Sequence, residues 1–378
     1  MLLGLSLQRV RVTGLVMFSL VALAGAMEGG PADAKDFASD SSAGDAKTAA
    51  AIRKDANFVC PASAATAGAA RKGLRSRKLQ VSTTVAPITS IVANVAGERA
   101  DGTASFRRAR TGHTNEPKPS VAELFTKADV VFVNGLSLED PTKELAKSNL
   151  GSGGQVVELG SIVLTPDQYI YDFSFPRDGG KPNPHLWTNP PMAACYARIA
   201  GSVLARADPA NASYYKANSV KLETKINDLS KRFRAASNKM AVSNRELLTY
   251  HDAYAYFSVF YKWKIIGAIQ ISDFEDPTPK EVAALITQIK KEKVPAIFGS
   301  EVFPSPVLAQ IGKEAGVKYV DKLRDDDLPG SPGDPNHSYL GLMKFDFVTM
   351  VSNLKGDATE LSKFDASDVA KDRATYPQ

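Results

Sequence analysis

The chain has 378 residues, of which 44% are hydrophobic, 23% charged and 8% aromatic, and its formal net charge is +5. This composition is typical of a soluble globular protein, so it excludes a chain disordered throughout and a protein with many membrane-spanning helices. The length is more than one hydrophobic core comfortably organises, which predicts two domains. Part of the charge lies between Arg71 and Lys78, where no aromatic residues are interleaved; we interpret that cluster as a solvated tether and not as a nucleic-acid-binding patch.

The first 26 residues have the features of an export signal. Arg9 and Arg11 precede an apolar run from Thr13 to Ala26, which ends in Ala-Gly-Ala, a small-x-small pattern that signal peptidases cleave. The run is shorter than the about 20 residues that span a bilayer as a helix. We therefore predict a signal peptide over 1–26 and an exported protein, periplasmic or associated with the cell surface. An uncleaved segment that anchors the protein in the membrane is the alternative.

Residues 27–78 are predicted to form a disordered tether. They are mostly Ala, Gly, Ser, Asp and Lys, and they contain too few large apolar side chains to offset the entropy of ordering. The two cysteines are Cys60 in this region and Cys195 in a helical pattern. From these contexts we expect no structural disulfide. We also expect no lipid on Cys60, because the preceding Asn57-Phe58-Val59 is not a small-residue context.

From Leu79 onward, short apolar strands alternate with helical patterns. Strands are predicted at 79–85, 130–133, 155–159, 245–249, 264–271, 296–298 and 318–320. A helix is predicted from Pro87 to Val95, ending at Gly97, and another at 120–128, with Ser120 as its N-cap and Glu123 three residues later. Nearly all-apolar strands separated by helices indicate parallel sheets covered on both faces, an α/β architecture.

Two consecutive helical stretches, 190–207 and 211–237, separate the strand-rich halves. The second has apolar residues at helical spacing, namely Tyr215, Val220, Leu222, Ile226, Leu229 and Phe233. We therefore predict an N-terminal α/β lobe over 79–207, a helical connector over 208–240 and a C-terminal α/β lobe over 241–378. A Gly-rich phosphate loop and a Gly-x-Ser-x-Gly elbow are both missing from the sequence, which excludes the commonest nucleotide-binding and hydrolase classes.

The chain contains only four histidines, and three of them occupy the same kind of position. His113, His185 and His251 each follow a strand-like or turn-like stretch and precede a helical one. Binding groups concentrate at the ends of such elements, and neutral imidazole is the commonest metal-binding side chain. The pattern therefore predicts a metal-binding protein.

A fourth ligand is expected to be a carboxylate after a strand of the second lobe. Asp321, in Val-Asp-Lys-Leu, is the main candidate, and one of the three aspartates at 325–327 is the alternative. We interpret Glu301 as a structural or capping acid, His337 as a structural histidine and Asp252 as a charge at a helix N-terminus. Trp187 and Tyr254 are interpreted as packing residues that fix the orientation of the histidine rings.

Six motifs then occur in order along the chain. They are VSTTVAPI (81–88), HTNEPKPS (113–120), ADVVFVNG (128–135), NPHLW (183–187), YHDAYAYF (250–257) and SYLGLM (338–343). On these motifs the chain resembles the extracytoplasmic substrate-binding proteins of zinc and manganese ABC transporters, the cluster A-I metal-binding family. The similarity extends from about residue 79 to 354.

This resemblance implies two α/β lobes joined by one long helix, with the metal held in the cleft between them. His113 and His185 would come from the first lobe, and His251 and Asp321 from the second. Ligands divided between lobes couple metal binding to lobe closure. The implied partners are a divalent metal ion and the permease of an ABC transporter; the protein is expected to be a monomer, to bind no nucleic acid and to have no enzymatic activity.

Three histidines and one aspartate favour Zn²⁺ over Mn²⁺. The His-rich acidic loop common in the zinc members of the resembled family is missing, so Mn²⁺ and Fe²⁺ stay open. Two other functions also stay open: a surface adhesin of the same fold, and a secreted zinc-dependent hydrolase. The hydrolase is the weaker alternative, because the sequence has no His-Glu-x-x-His pair and no obvious general base beside the proposed ligands.

Overall fold

A computed structural model describes residues 58–71, 77–105, 117–172, 174–269, 278–300 and 306–377. The predicted signal peptide, residues 27–57 and 72–76 of the predicted tether, His113 and Glu301 lie outside these ranges. Within the described ranges, no helix combines the length and the apolar character needed to cross a membrane.

The first lobe is a parallel sheet with helices packed around it. Its strands are β1 (Leu79–Thr83), β2 (Ala100–Ala104), β3 (Val130–Val133) and β4 (Gln155–Glu158), in the order β2-β1-β3-β4. Its helices are α1 (Ala86–Ala96), α2 (Pro119–Lys127), α3 (Asp140–Asn149), α4 (Leu159–Val163) and α5 (Pro190–Ala207). Every residue of β3 is buried, as expected for a central strand covered on both faces.

The ends of helices α1 and α2 test two of the sequence predictions for this lobe. Helix α1 has its proline in the first turn and ends at Gly97, whose φ of +50° favours glycine. Helix α2, in contrast, begins at Pro119 with Lys118 before it, and no side chain caps its first turn. The prediction of Ser120 as the N-cap is therefore wrong, because the helix starts one residue earlier and places Ser120 inside its first turn.

Helix α6 (Ala212–Lys239) is the long helix predicted between the two sheets. Its 28 residues extend over about 42 Å at about 1.5 Å per residue. The fully buried positions are Tyr215, Leu222, Ile226, Leu229 and Phe233. Val220, which the sequence pattern included among them, is 62% exposed. The buried stripe is therefore narrower than the sequence suggested. The long helix contacts α5, and Phe233 near its C-terminal end packs against Phe257 and Phe347 of the second lobe.

The second lobe repeats the arrangement of the first. Its strands are β5 (Glu246–Thr249), β6 (Lys264–Ala268), β7 (Ala296–Ser300) and β8 (Lys318–Leu323), all parallel, in the order β6-β5-β7-β8. The helices after α6 are α7 (Ala255–Tyr261), α8 (Pro279–Glu292), α9 (Pro306–Ala315), α10 (Tyr339–Asn353) and α11 (Thr359–Ser362). Two parallel sheets flanked by helices and linked by a long helix confirm the predicted α/β architecture.

The end of the chain, residues 363–377, returns to the first lobe; we call it the C-terminal strap. Asn94 of α1 donates through Nδ2 to Asp368 Oδ1 over 2.9 Å. Further along, Ala104 N donates to Thr375 O and Thr375 N donates to Gly102 O, each over 2.9 Å. The strap thus lies beside edge strand β2, so the last part of the predicted C-terminal lobe packs on the N-terminal one.

Residues 58–71 also pack on the first lobe, although they fall within the predicted tether. Ala64 is fully buried, and Ala69 exchanges two hydrogen bonds with the side chain of Gln155 in edge strand β4, over 2.9 and 3.2 Å. Arg71 forms an ion pair with buried Asp129 at 2.8 Å. This part of the tether prediction is wrong, because contacts distant in sequence order a segment whose composition alone predicts disorder.

A disulfide fastens this N-terminal segment to α5. Cys60 and Cys195 are joined, with their Cα atoms 5.4 Å apart. The expectation of no structural disulfide is therefore wrong. It treated the helical context of Cys195 and the low-complexity surroundings of Cys60 as obstacles. Helix α5 instead places Cys195 on the face that residues 58–71 cover.

Candidate metal centre

His185 and His251 meet between the two lobes. His185 precedes α5, and His251 follows β5. Their Nε2 atoms are 2.9 Å apart, and the rings stand nearly perpendicular, with 4.7 Å between centroids. Both residues are buried. Two nitrogens at this separation both lie within reach of one divalent ion, since metal–imidazole bonds are about 2.0–2.1 Å long.

Asn183 fixes the orientation of the His185 ring. Its Oδ1 atom accepts the backbone N–H of His185 over 3.1 Å and lies 2.9 Å from His185 Nδ1. Since Oδ1 is an acceptor, Nδ1 carries the proton and Nε2 keeps its lone pair facing His251. Phe175 and Trp187 pack edge-on against the same ring, with centroids 5.7 and 5.1 Å away. A partner of this kind on the second ring nitrogen is typical of metal-binding histidines.

Asp325 is the carboxylate that the second lobe places beside this pair. Its Oδ2 atom is 3.9 Å from His251 Nε2, and its side chain is 4% exposed. The other oxygen, Oδ1, accepts from Ser300 Oγ over 3.2 Å and from Asp326 N over 3.1 Å. Ser300 ends β7, and Asp325 comes shortly after β8. The carboxyl ends of neighbouring parallel strands therefore deliver this acid to the histidines.

Asp321 occupies a different position. It lies within β8, it is exposed, and its Oδ1 atom accepts from the hydroxyl of Tyr319 over 3.1 Å. The apolar run that marked this strand in the sequence stops at Val320, but the strand continues to Leu323. Asp321 is thus still inside the strand, and the first buried acid after it is Asp325. The structure does not bring Asp321 to the histidine pair.

Each of the remaining candidate ligands lies either outside the described residues or away from the histidine pair. His113 and Glu301 lie outside the described residues. His337 is buried against the C-terminal strap, with Nδ1 3.1 Å from Pro329 O and its ring 4.9 Å from that of Tyr376. Without His113, the described part of the chain contains no group of three or more His, Cys, Asp or Glu side chains placed to hold a metal.

Tyr254 and Asp252, interpreted from sequence as a packing residue and a helix N-terminal charge, both make specific hydrogen bonds. The Tyr254 hydroxyl donates to Arg324 O over 2.9 Å and lies 3.1 Å from Asp346 Oδ2, which fixes the start of the Asp325 loop. Asp252 is buried, and it accepts from Ser174 N over 3.0 Å. Its interpretation as a helix N-terminal charge is wrong, because α7 begins only at Ala255.

Behind the centre, Glu139 is a fully buried acid that supports the His185 segment. Its carboxylate accepts from Thr84 Oγ1 over 2.8 Å and from the backbone N–H groups of Asn134 and Gly135 over 2.6 and 3.1 Å. Asn134 in turn donates to the carbonyl of Pro184 over 2.8 Å, next to His185. Burial raises the pKa of Glu139 to about 7, against the opposing effect of its three donors.

This pKa predicts a pH-dependent stability. Between the ordinary glutamate value and about 7, the folded protein binds the Glu139 proton and the unfolded chain does not. The unfolding free energy should therefore fall as pH rises through this window, by about 3 kcal/mol at most. Urea unfolding of metal-free protein between pH 4.5 and 7.5 measures the effect. Glu139→Gln, which cannot titrate, should lose less stability than the wild type; parallel pH profiles would contradict the assignment.

With this geometry in hand, comparison with known proteins identifies the family. The model of the family "zinc-uptake complex component A periplasmic" (ZnuA) matches residues 81–353. The manganese ABC transporter substrate-binding lipoprotein PsaA of Streptococcus pneumoniae is 22% identical over 279 residues, covering 74% of this chain and 90% of PsaA. The iron-binding protein YfeA of Yersinia pestis is 26% identical over 275 residues, covering 73% and 86%.

The fold has solved counterparts. The periplasmic zinc binding protein TroA from Treponema pallidum superposes with a TM-score of 0.66 at 22% identity, over 73% of this chain and 99% of TroA. The family match includes both sheets, the long helix α6 and the two facing histidines, and it confirms the resemblance drawn from the six sequence motifs. The chain therefore belongs to the ZnuA family of periplasmic zinc-uptake components.

Proposed function

We propose that this protein captures a divalent metal ion outside the cytoplasm and delivers it to the permease of an ABC transporter. The observation that carries the proposal is the 2.9 Å approach of His185 Nε2 and His251 Nε2, one from each lobe. Family membership and the names of PsaA, YfeA and TroA, which bind manganese, iron and zinc, support a metal cargo. The role is binding and release, without catalysis.

The proposed ligands are His113, His185, His251 and one aspartate. His113 enters from the family resemblance. For the aspartate we now propose Asp325 in place of Asp321, because Asp325 is buried 3.9 Å from His251 Nε2 while Asp321 is exposed beside Tyr319. Three neutral imidazoles and one carboxylate leave a bound divalent ion with a net charge of about +1.

The Asp325 assignment predicts a clear difference between two aspartates that are four residues apart in the sequence. Asp325→Asn should weaken Zn²⁺ binding about a hundredfold, since it removes the only anionic donor at the proposed site. Asp321→Asn makes the same chemical change on an exposed strand position and should leave the affinity unchanged. Calorimetric titration of both variants measures this. A large loss in Asp321→Asn alone would restore the original assignment and reject Asp325.

For the ion itself we propose Zn²⁺, with Mn²⁺ and Fe²⁺ as alternatives. A ligand set dominated by imidazole suits zinc better than manganese. Nearly any such site binds Zn²⁺ more tightly than Mn²⁺, so the availability of each metal in the cell also decides which ion is bound. Elemental analysis of protein purified from its native compartment reports both identity and stoichiometry. A stoichiometric metal other than zinc would overturn this choice and leave the transport role intact.

The location and partner follow from the N-terminal region and the family. We propose export by the signal at 1–26, a periplasmic or cell-surface location, and a monomer that engages a membrane permease. Metal saturation should raise the melting temperature, because a ligand that binds only the native state stabilises it by mass action. Flat thermal shifts with Zn²⁺, Mn²⁺ and Fe²⁺ would contradict the whole proposal.

A further inference from the structure

The segment 183–189, which carries His185, crosses to the second lobe through its own side chains. Each of its four other polar side chains donates to a backbone carbonyl there. The pairs are Asn183 Nδ2 to Asp252 O (2.8 Å), Trp187 Nε1 to Asp325 O (2.8 Å), Thr188 Oγ1 to Ala253 O (2.7 Å) and Asn189 Nδ2 to Tyr256 O (3.3 Å). The Thr188 hydroxyl also lies 2.9 Å from His185 O, the longer of its two contacts. All four donor residues are at most 1% exposed.

The acceptors lie beside the proposed ligands of the second lobe. Asp252 and Ala253 directly follow His251, and the third carbonyl belongs to Asp325 itself. Segment 183–189 is therefore hydrogen-bonded to the main chain directly after His251 and at Asp325, the two second-lobe residues that His185 faces. In return, the Tyr339 hydroxyl of α10 donates to Trp187 O over 2.7 Å.

Separating the lobes at this point would expose a row of buried donors and carbonyls. Opening would exchange each of these hydrogen bonds for one to water, which is a net loss of stability for each well-formed pair. Main-chain acceptors cannot swing away as side chains do, so the arrangement behaves as one unit. This contrasts with the sequence-based expectation that metal binding drives the lobes together.

We propose that segment 183–189 is a permanent staple, which holds His185 against His251 and Asp325 whether or not a metal is bound. Asn183, Trp187 and Thr188 are then positioning residues that keep three of the four proposed ligands preassembled. This inference rests on the proposed function for the meaning of the ligands. The staple itself is a statement about the metal-free protein.

Preassembly has a measurable effect on affinity. When only a fraction of the protein has the competent arrangement, the apparent dissociation constant rises in inverse proportion to that fraction. Trp187→Phe keeps an aromatic ring but removes the donor to Asp325 O, and it should weaken Zn²⁺ binding about tenfold. Thr188→Val, nearly isosteric, should act in the same direction. The order of preference among metals should stay the same, because the coordinating atoms are unchanged.

Matched controls are present in the chain. Trp263 is also buried, and its indole donates to Ser237 Oγ over 2.7 Å, on the long helix. Trp263→Phe thus removes an indole hydrogen bond away from the staple. Thr224→Val removes an exposed hydroxyl that donates to Val220 O within α6. Both controls should leave the metal affinity at the wild-type value even if Trp263→Phe lowers the melting temperature.

The interlobe distance tests the staple directly. Lys147→Cys on α3 and Lys290→Cys on α8 are exposed label sites, one on each lobe, and both native cysteines are already paired. Spin-label distances by pulsed electron resonance should match in chelator-treated and Zn²⁺-loaded protein. In the Trp187→Phe/Thr188→Val variant, the metal-free distribution should broaden, and Zn²⁺ should restore it.

The outcomes separate the two proposals. A metal-free wild type with a broad or longer distance that Zn²⁺ shortens would overturn the staple while the transport role stands. Equal affinities for Trp187→Phe and Trp263→Phe would also overturn it. Wild-type protein that binds no metal by calorimetry would reject the proposed function, and the metal-free distances would still decide whether the staple holds.

Discussion

Replacing His185 with alanine is expected to weaken zinc binding on the order of a thousandfold, about 4 kcal/mol. Outer partners of metal ligands already contribute about 10–100-fold, and His185 is proposed as a direct ligand. Its Nε2 atom faces that of His251, and Asn183 holds the ring by Nδ1. The truncation removes one of four donors and leaves a buried gap where water is a poor substitute. Competitive titration against a chelator of known affinity measures the change.

His337→Ala is the matched control for this result. It makes the same truncation at a buried histidine whose ring packs against Tyr376 of the C-terminal strap. The variant should lose stability and keep wild-type affinity. His113→Ala should resemble His185→Ala, which would tie the undescribed histidine to the same site. An unchanged affinity in His185→Ala would remove the geometric basis of the metal centre.

Loss of the Cys60–Cys195 disulfide is expected to destabilise the protein by about 4–5 kcal/mol. The bridge closes a loop over a sequence separation of 135, and the stabilisation from restricting the unfolded chain grows with loop length. It also holds the segment that covers edge strand β4. Cys60→Ser opens the bridge at a half-buried position without removing core volume. Chemical unfolding of the variant and of the wild type gives the difference.

Reductant provides the internal control. It should bring the wild type to the stability of Cys60→Ser and have no effect on the variant. Zinc affinity should be retained in both, because neither cysteine touches His185, His251 or Asp325 among the described contacts. Full stability after reduction would mean that the noncovalent contacts of residues 58–71 suffice to hold them.

The sequence predicted the architecture well because that signal is local. Buried parallel strands are short apolar runs, and the alternation of such runs with helices identifies the two lobes. Strand β2 escaped prediction, since Ala-Asp-Gly-Thr-Ala has no apolar run and lies at a sheet edge. The packed segment 58–71 was missed for a different reason: it depends on partners that are distant in sequence, such as Cys195, which is 135 residues from Cys60.

The candidate site was also predicted from the sequence only in part. The scarcity of histidine and the positions of these residues at element ends were enough to single out His185 and His251, which the fold brings together. The choice between Asp321 and Asp325 depended on where β8 ends, and the apolar pattern stops before the strand does. The donors of segment 183–189 carried no sequence signal of their own role, since their acceptors are backbone carbonyls that every residue possesses.

The C-terminal strap also affects the order in which this protein can complete its fold. Strand β2 is formed by residues 100–104, but the chain that lies along its open edge comes from residue 375. Until residue 375 is synthesised, this edge presents unpaired backbone groups, which favour association with other chains. A nascent molecule, or one that has lost residue 375 by proteolysis, therefore has an aggregation-prone strand edge that is covered in the folded protein.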